Sequence, residues 1–218
     1  MQYLFLWSPE QQTLYKKLSA PSQSAVNDSD SYQFDPWNLS WHKVSHNAEG
    51  LESISAQQAL KKLKGKLRRL PVGVIGPREA KQAEMLLAEA LGTALAELGL
   101  QLVCGGKNGV MEAVAKGYQA AGEVAIGLLP DEDWRLANDF IGIPLATGIG
   151  RARNAIIAQA CPVLVAVGGG YGTISEMAYG MQFEHLVLAL GPAPHVPGVI
   201  YCETVEQTIR LIAEYYLR

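Results

Sequence analysis

Apolar residues in the second part of this chain follow two alternating patterns. Residues 72–76, 100–104, 124–129, 163–167 and 186–190 are short, nearly unbroken runs rich in Val, Ile and Leu. Continuous apolar runs of that length mark strands covered on both faces. Between them, residues 80–98, 110–121 and 173–184 repeat apolar positions at helical spacing, and Gly99 and Gly122 stand where the first two helices should stop. A further helix opens at residues 148–154 and reaches about residue 160. Residues 140–145 are extended, with Pro144 suiting an edge strand. A last strand over 199–201 and a helix over 204–216 close the pattern. Strands alternating with such helices predict right-handed βαβ units, hence an α/β fold with a doubly wound parallel sheet.

Residues 1–70 break this rhythm and read as a small N-terminal extension, leaving 71–218 as the main domain. Residues 3–7 predict a short strand. Residues 19–35, rich in Ser, Asn, Asp and Gln, predict a loop. Trp37 and Trp41, with Leu39 and Val44, predict a second strand whose tryptophans pack the extension onto the main domain. A helix is expected from Ser53 or Ser55 to about Arg69. Ala56, Ala59, Leu60, Leu63 and Leu67 lie on its inner side and six Lys and Arg side chains on its solvated one. His42 and His46 read as surface residues.

Composition narrows the function. With 49% hydrophobic and 18% charged residues among 218, the chain is an ordinary globule. A net charge of −3 gives no electrostatic case for nucleic acid or an anionic membrane as partner. No apolar run is long enough to span a bilayer, and the apolar start lacks the basic residues of a signal peptide. Cys104, Cys161 and Cys202 are far apart, without metal-ligand spacing, which fits reduced thiols and a cytoplasmic location. No metal and no cofactor are expected.

The chemistry concentrates at strand ends. Gly76-Pro77-Arg78, Gly105-Gly106 followed by Asn108, and Gly168-Gly169-Gly170 each follow a predicted strand, where ligands bind in a doubly wound sheet. The last turn continues through Tyr171 and Gly172 to Thr173, near which a helix begins, so free N–H groups and the helix dipole form a phosphate cradle. Thr173 and Glu176 share a helix face, which puts an acid beside the anion site. Arg151, Arg153 and Asn154 open the preceding helix. Arginines there are electrostatically misplaced unless an anion or a carboxylate lies near, and Glu176 is one such partner. Neither the dinucleotide fingerprint G-x-G-x-x-G nor the P-loop G-x-x-x-x-G-K-[ST] is present, which leaves a single phosphate as the anion.

Gly168-Gly-Gly-Tyr-Gly-Thr-Ile-Ser-Glu176 resembles the PGGxGTxxE signature of the LONELY GUY (LOG) family. Arg153 matches the arginine of that family's MHxRK motif, and Gly105-Gly-Lys-Asn-Gly-Val-Met111 its GGG-x-x-G-x-M turn. Gly168 replaces the proline, Arg151 the histidine and Asn154 the lysine. In that respect the chain is more similar to a sister branch related to molybdenum cofactor carrier proteins. The resemblance covers about residues 71–190. It implies a Rossmann-like fold, a homodimer or larger homo-oligomer, and a nucleoside 5′-monophosphate as ligand. It further implies cleavage of the N-glycosidic bond to free base and ribose 5-phosphate, with Arg153 and Glu176 catalytic. The sister branch implies instead a carrier or sensor of a phosphorylated ligand such as molybdenum cofactor.

Overall fold

A computed structural model describes residues 3–18, 31–45 and 50–218. The chain divides into two units, Met1–Arg68 with Ala213–Arg218, and Arg69–Ile212.

The first unit is richer in strands than its sequence suggests. Strands β1 (Tyr3–Ser8), β2 (Thr13–Leu18), β3 (Ser31–Asp35), β4 (Ser40–Val44) and β5 (Glu52–Ile54) form one sheet in the order β4-β3-β2-β1-β5. Every pairing is antiparallel. The expected loop over 19–35 is therefore corrected at its end, where 31–35 is strand; 19–30 and His46 lie outside the described residues. The β2 and β3 strands show no strand pattern in the sequence because Lys16, Lys17, Ser31 and Gln33 give them a polar composition, although Leu14, Tyr15 and Phe34 are buried. Trp41 packs on Phe34, ring centres 4.8 Å apart, and its indole N–H donates to the Leu217 carbonyl at 3.1 Å. Trp37 does not pack away as expected. It is 59% exposed, on the turn that Asp35 caps, with the Arg68 guanidinium 4.8 Å from its ring.

Helix α1 (Ala56–Leu63) starts at a Ser55 capping box, as its Ser and Gln58 dictate. It stops well short of Arg69, because Gly65 takes φ +84° and turns the chain.

The second unit holds the parallel sheet. Its elements in order are β6 (Pro71–Ile75), α2 (Gln82–Glu97), β7 (Gln101–Cys104), α3 (Val110–Ala120), β8 (Ala125–Leu129) and β9 (Ile141–Ala146). Then follow α4 (Arg153–Ala160), β10 (Val163–Val167), α5 (Tyr171–Gln182), β11 (Leu186–Leu190), β12 (Ile200–Cys202) and α6 (Val205–Tyr216), the last running on into the first unit. The seven strands run in the order β12-β11-β10-β6-β7-β8-β9, all parallel. This is the doubly wound, Rossmann-like sheet expected from the alternation. Every residue of β10 is fully buried, which is what its unbroken apolar run requires. β9, with Pro144, is an edge strand with a register irregularity where it meets β8.

Winding reverses between β6 and β10, which are neighbours although four strands apart in sequence order. Their carboxyl ends, Ile75 and Val167, open a crevice at the switch point. Two helix starts differ from expectation. α2 begins at Gln82 because the Glu84 carboxylate accepts from the Lys81 N–H at 2.7 Å, which frees residues 76–81 to form a loop. α5 begins at Tyr171, so Thr173 is inside its first turn. Among the described residues no helix is long and apolar enough to cross a membrane.

Candidate functional site

Beyond Val167 the backbone takes φ +62° at Gly168 and +139° at Gly169, then enters α5 from an extended Gly170. Side chains are excluded at the first two positions. A Cβ on Gly168 would collide with the Glu84 carboxylate, and one on Gly169 would meet Thr173 at 2.6 Å. Proline, fixed near φ −65°, cannot take the Gly168 conformation. Among the described residues nothing lies within 4 Å of where a Gly170 Cβ would stand, and no side chain caps the helix. The first-turn N–H groups of α5 therefore face open space, with the positive end of the dipole behind them.

Across the crevice Arg153 opens α4. Its guanidinium is almost wholly buried, and Nη1 donates to Glu176 Oε1 at 3.0 Å and to Asn154 Oδ1 at 2.8 Å. Arg153 Nε is buried without a hydrogen-bond partner among the described residues. Glu176 sits one turn beyond Thr173 on the same face of α5 and is 5% exposed. Burial pushes its carboxyl up to about 7, against the opposing pull of Arg153. The same burial lowers Arg153, with Glu176 as the main restoring influence; arginine's high ordinary value keeps it charged. A buried acid that exchanges its proton near neutrality, beside a fixed cation, is equipped for general acid–base work. The cysteines are not: burial pushes Cys104 to about 11 and Cys161 to about 12, so both stay protonated thiols.

Two glycines shape the cleft, the first by making room for Arg153. A Cβ on Gly105, at the end of β7, would collide with the Arg153 guanidinium. Gly109 takes φ +72°, and a Cβ there would strike the Pro77 and Arg78 carbonyls. The Val110 N–H donates to that Pro77 carbonyl at 3.2 Å, which pins the loop after β6 to the start of α3.

The result is a cleft of about 340 Å³. It gathers Gly76, Arg78, Gly105, Arg151, Arg153, Asn154, Gly170, Gly172, Thr173 and Glu176 from three strand ends and two helix starts. Ile75, Pro77 and Met111 line it as well. Pro77 belongs to the Gly76 turn and Met111 to the segment resembling the GGG-x-x-G-x-M turn, whereas Ile75 shows in the sequence only as the end of a strand. Gly106, Asn108, Gly168, Gly169 and Tyr171 do not line it. The Gly106 carbonyl accepts from the Asn138 N–H at 2.9 Å, Asn108 is exposed, and Tyr171 points outward, 94% exposed. Gly168 and Gly169 shape the turn without facing the cleft. Arg78 and Arg151 are exposed at its mouth, with no ion pair among the described residues, so the cleft carries more positive than negative charge.

Residues 69–214 match the SLOG cluster4 family. An uncharacterized protein of Archaeoglobus fulgidus is 39% identical over 143 residues, covering 66% of this chain and 94% of that one. The probable cytokinin riboside 5′-monophosphate phosphoribohydrolase LOGL5 of rice is 31% identical over 100 residues, 44% of this chain and 41% of that one. A solved structure of the molybdenum cofactor carrier protein of Chlamydomonas reinhardtii superposes with a TM-score of 0.64 at 32% identity. It covers 69% of this chain and all of that one.

Proposed function

The chain belongs to the SLOG cluster4 family, and on that premise we propose that it binds a nucleoside 5′-monophosphate and hydrolyses its N-glycosidic bond. The observation that carries this reading is the buried Arg153–Glu176 pair facing a cationic cleft of nucleotide size. The 5′-phosphate takes the uncapped N-terminus of α5, with N–H groups of Gly172 and Thr173, the Thr173 hydroxyl, and Arg78 and Arg151 as counter-charges. Glu176 accepts a proton from water as the water oxygen bonds to C1′. The C1′–N bond breaks with its electron pair going to the base, and the proton is then delivered to the base nitrogen. Arg153 holds the carboxylate in place, and its positive charge beside the cleft favours departure of the base electrostatically. The products are free base and ribose 5-phosphate. Chromatography of a panel of nucleoside monophosphates incubated with the purified protein tests this; release of free base from none of them refutes it.

A second reading has its own support. The likeness to the carrier protein spans that protein's whole length. Gly168 and Asn154 also depart from the hydrolase signature, and the Gly168 backbone is one proline cannot adopt. In this reading the same cradle holds a phosphorylated ligand such as molybdenum cofactor without turnover. Native mass spectrometry of freshly purified protein separates the two: an intact co-purifying ligand supports the carrier, and bound ribose 5-phosphate the hydrolase.

A further inference from the structure

Asn154 stands between the buried ion pair and the phosphate cradle. A guanidinium can only donate, so the 2.8 Å contact from Arg153 Nη1 requires the Asn154 amide to present its oxygen there. The amide nitrogen must then face the other way. On that side lies Gly172, in the first turn of α5: Asn154 Nδ2 is 3.8 Å from the point a Gly172 Cβ would occupy. Its N–H donors have no hydrogen-bond partner among the described residues, and both Asn154 and Gly172 line the cleft. The oxygen is committed to the ion pair while the donors await an acceptor beside the uncapped helix.

We propose that Asn154 is a positioning residue that couples anion binding to the Arg153–Glu176 pair, its amide donating to the ligand phosphate while its oxygen anchors Arg153. This rests on the monophosphate reading above. An anion accepting from Nδ2 polarises the amide, which strengthens the bond its oxygen accepts from Arg153. Loading the phosphate thereby tightens the group that orients Glu176. A ligand without phosphate leaves the donors unanswered and Arg153 less firmly held. The residue discriminates between nucleotide and nucleoside as well as aligning the pair.

Calorimetric titration of AMP and of adenosine into the full chain tests the coupling. Asn154→Asp keeps an acceptor for Arg153 but replaces the donors with an anionic oxygen. Asn154→Leu removes both halves without adding charge. Both variants are expected to weaken AMP binding at least about tenfold while adenosine binding stays within about twofold of wild type. In Asn154→Leu the titration midpoint of Glu176, followed by carbon NMR of its labelled carboxyl, is expected to rise, because Arg153 has lost its second anchor. A purely structural role would not move that midpoint. AMP binding by Asn154→Leu within about twofold of wild type, or an unmoved Glu176 midpoint, overturns the coupling. Wild type that binds neither AMP nor adenosine is a separate result: it overturns the nucleotide reading on which the coupling stands.

Discussion

At the scale of the residue, burial and charge pull against each other at Glu176. Desolvation raises its carboxyl from 4.5 to about 7 even with Arg153 at 3.0 Å. Below about pH 4.5 both the folded and the unfolded chain hold this proton. Between there and about 7 only the folded chain does, so its contribution to stability falls as pH rises through that window and is flat above it. Urea unfolding at several pH values should show wild type losing about 1–3 kcal/mol across the window relative to Glu176→Gln, which lacks the titrating group. Equal slopes would contradict the raised value. For the proposed hydrolysis the ionised carboxylate is the working base, so the rate should rise with pH with a midpoint near 7. Sequence carried half of this picture. The charge mismatch of arginines at a helix start exposed the Arg153–Glu176 pairing. Burial of the pair did not show, because it depends on Gly105 vacating space from another strand.

At the scale of the element, the apolar runs marked the parallel strands because both faces of each are covered, whereas β2 and β3 hid behind lysines and small polar residues. Close approach between helices was equally hidden. α2 and α3 touch through glycines: a Cβ on Gly92 would collide with the Val114 carbonyl, and one on Gly117 with the Glu89 carbonyl. Thr93 Oγ donates across the seam to the Gly117 carbonyl at 3.2 Å. Nothing local distinguishes these glycines from helix-weakening ones, since their reason is a backbone far away in sequence. Propensity alone would have Gly117→Ala stabilise by about 1 kcal/mol. Overpacking at the seam opposes it by about 1–3 kcal/mol or more. We expect the collision to dominate, lowering the melting temperature by about 3–8 °C in a calorimetric scan. A rise would show that the helices separate freely.

At the scale of the whole molecule, every cleft residue belongs to the unit Arg69–Ile212, and the family match covers nearly the same span, 69–214. The Archaeoglobus fulgidus relative is covered over 94% of its length by the aligned 143 residues, and the carrier structure over all of its own. A unit of this kind therefore exists as a protein by itself. A chain shortened to residues 69–218 should fold, by circular dichroism, and bind AMP within about threefold of the full chain. A larger loss would assign the first unit a part in the site. The boundary near residue 70 was visible in the sequence as a change of rhythm. The return of Ala213–Arg218 to the first unit was not, because α6 reads as one uninterrupted amphipathic helix. Whether the buried carboxylate in this cleft breaks an N-glycosidic bond is decided by incubating AMP with wild type and with Glu176→Gln while following free adenine. Adenine is expected from wild type and at least about a hundredfold less from the variant, with AMP still bound by both. Adenine released equally by the two proteins would contradict this role of the carboxylate.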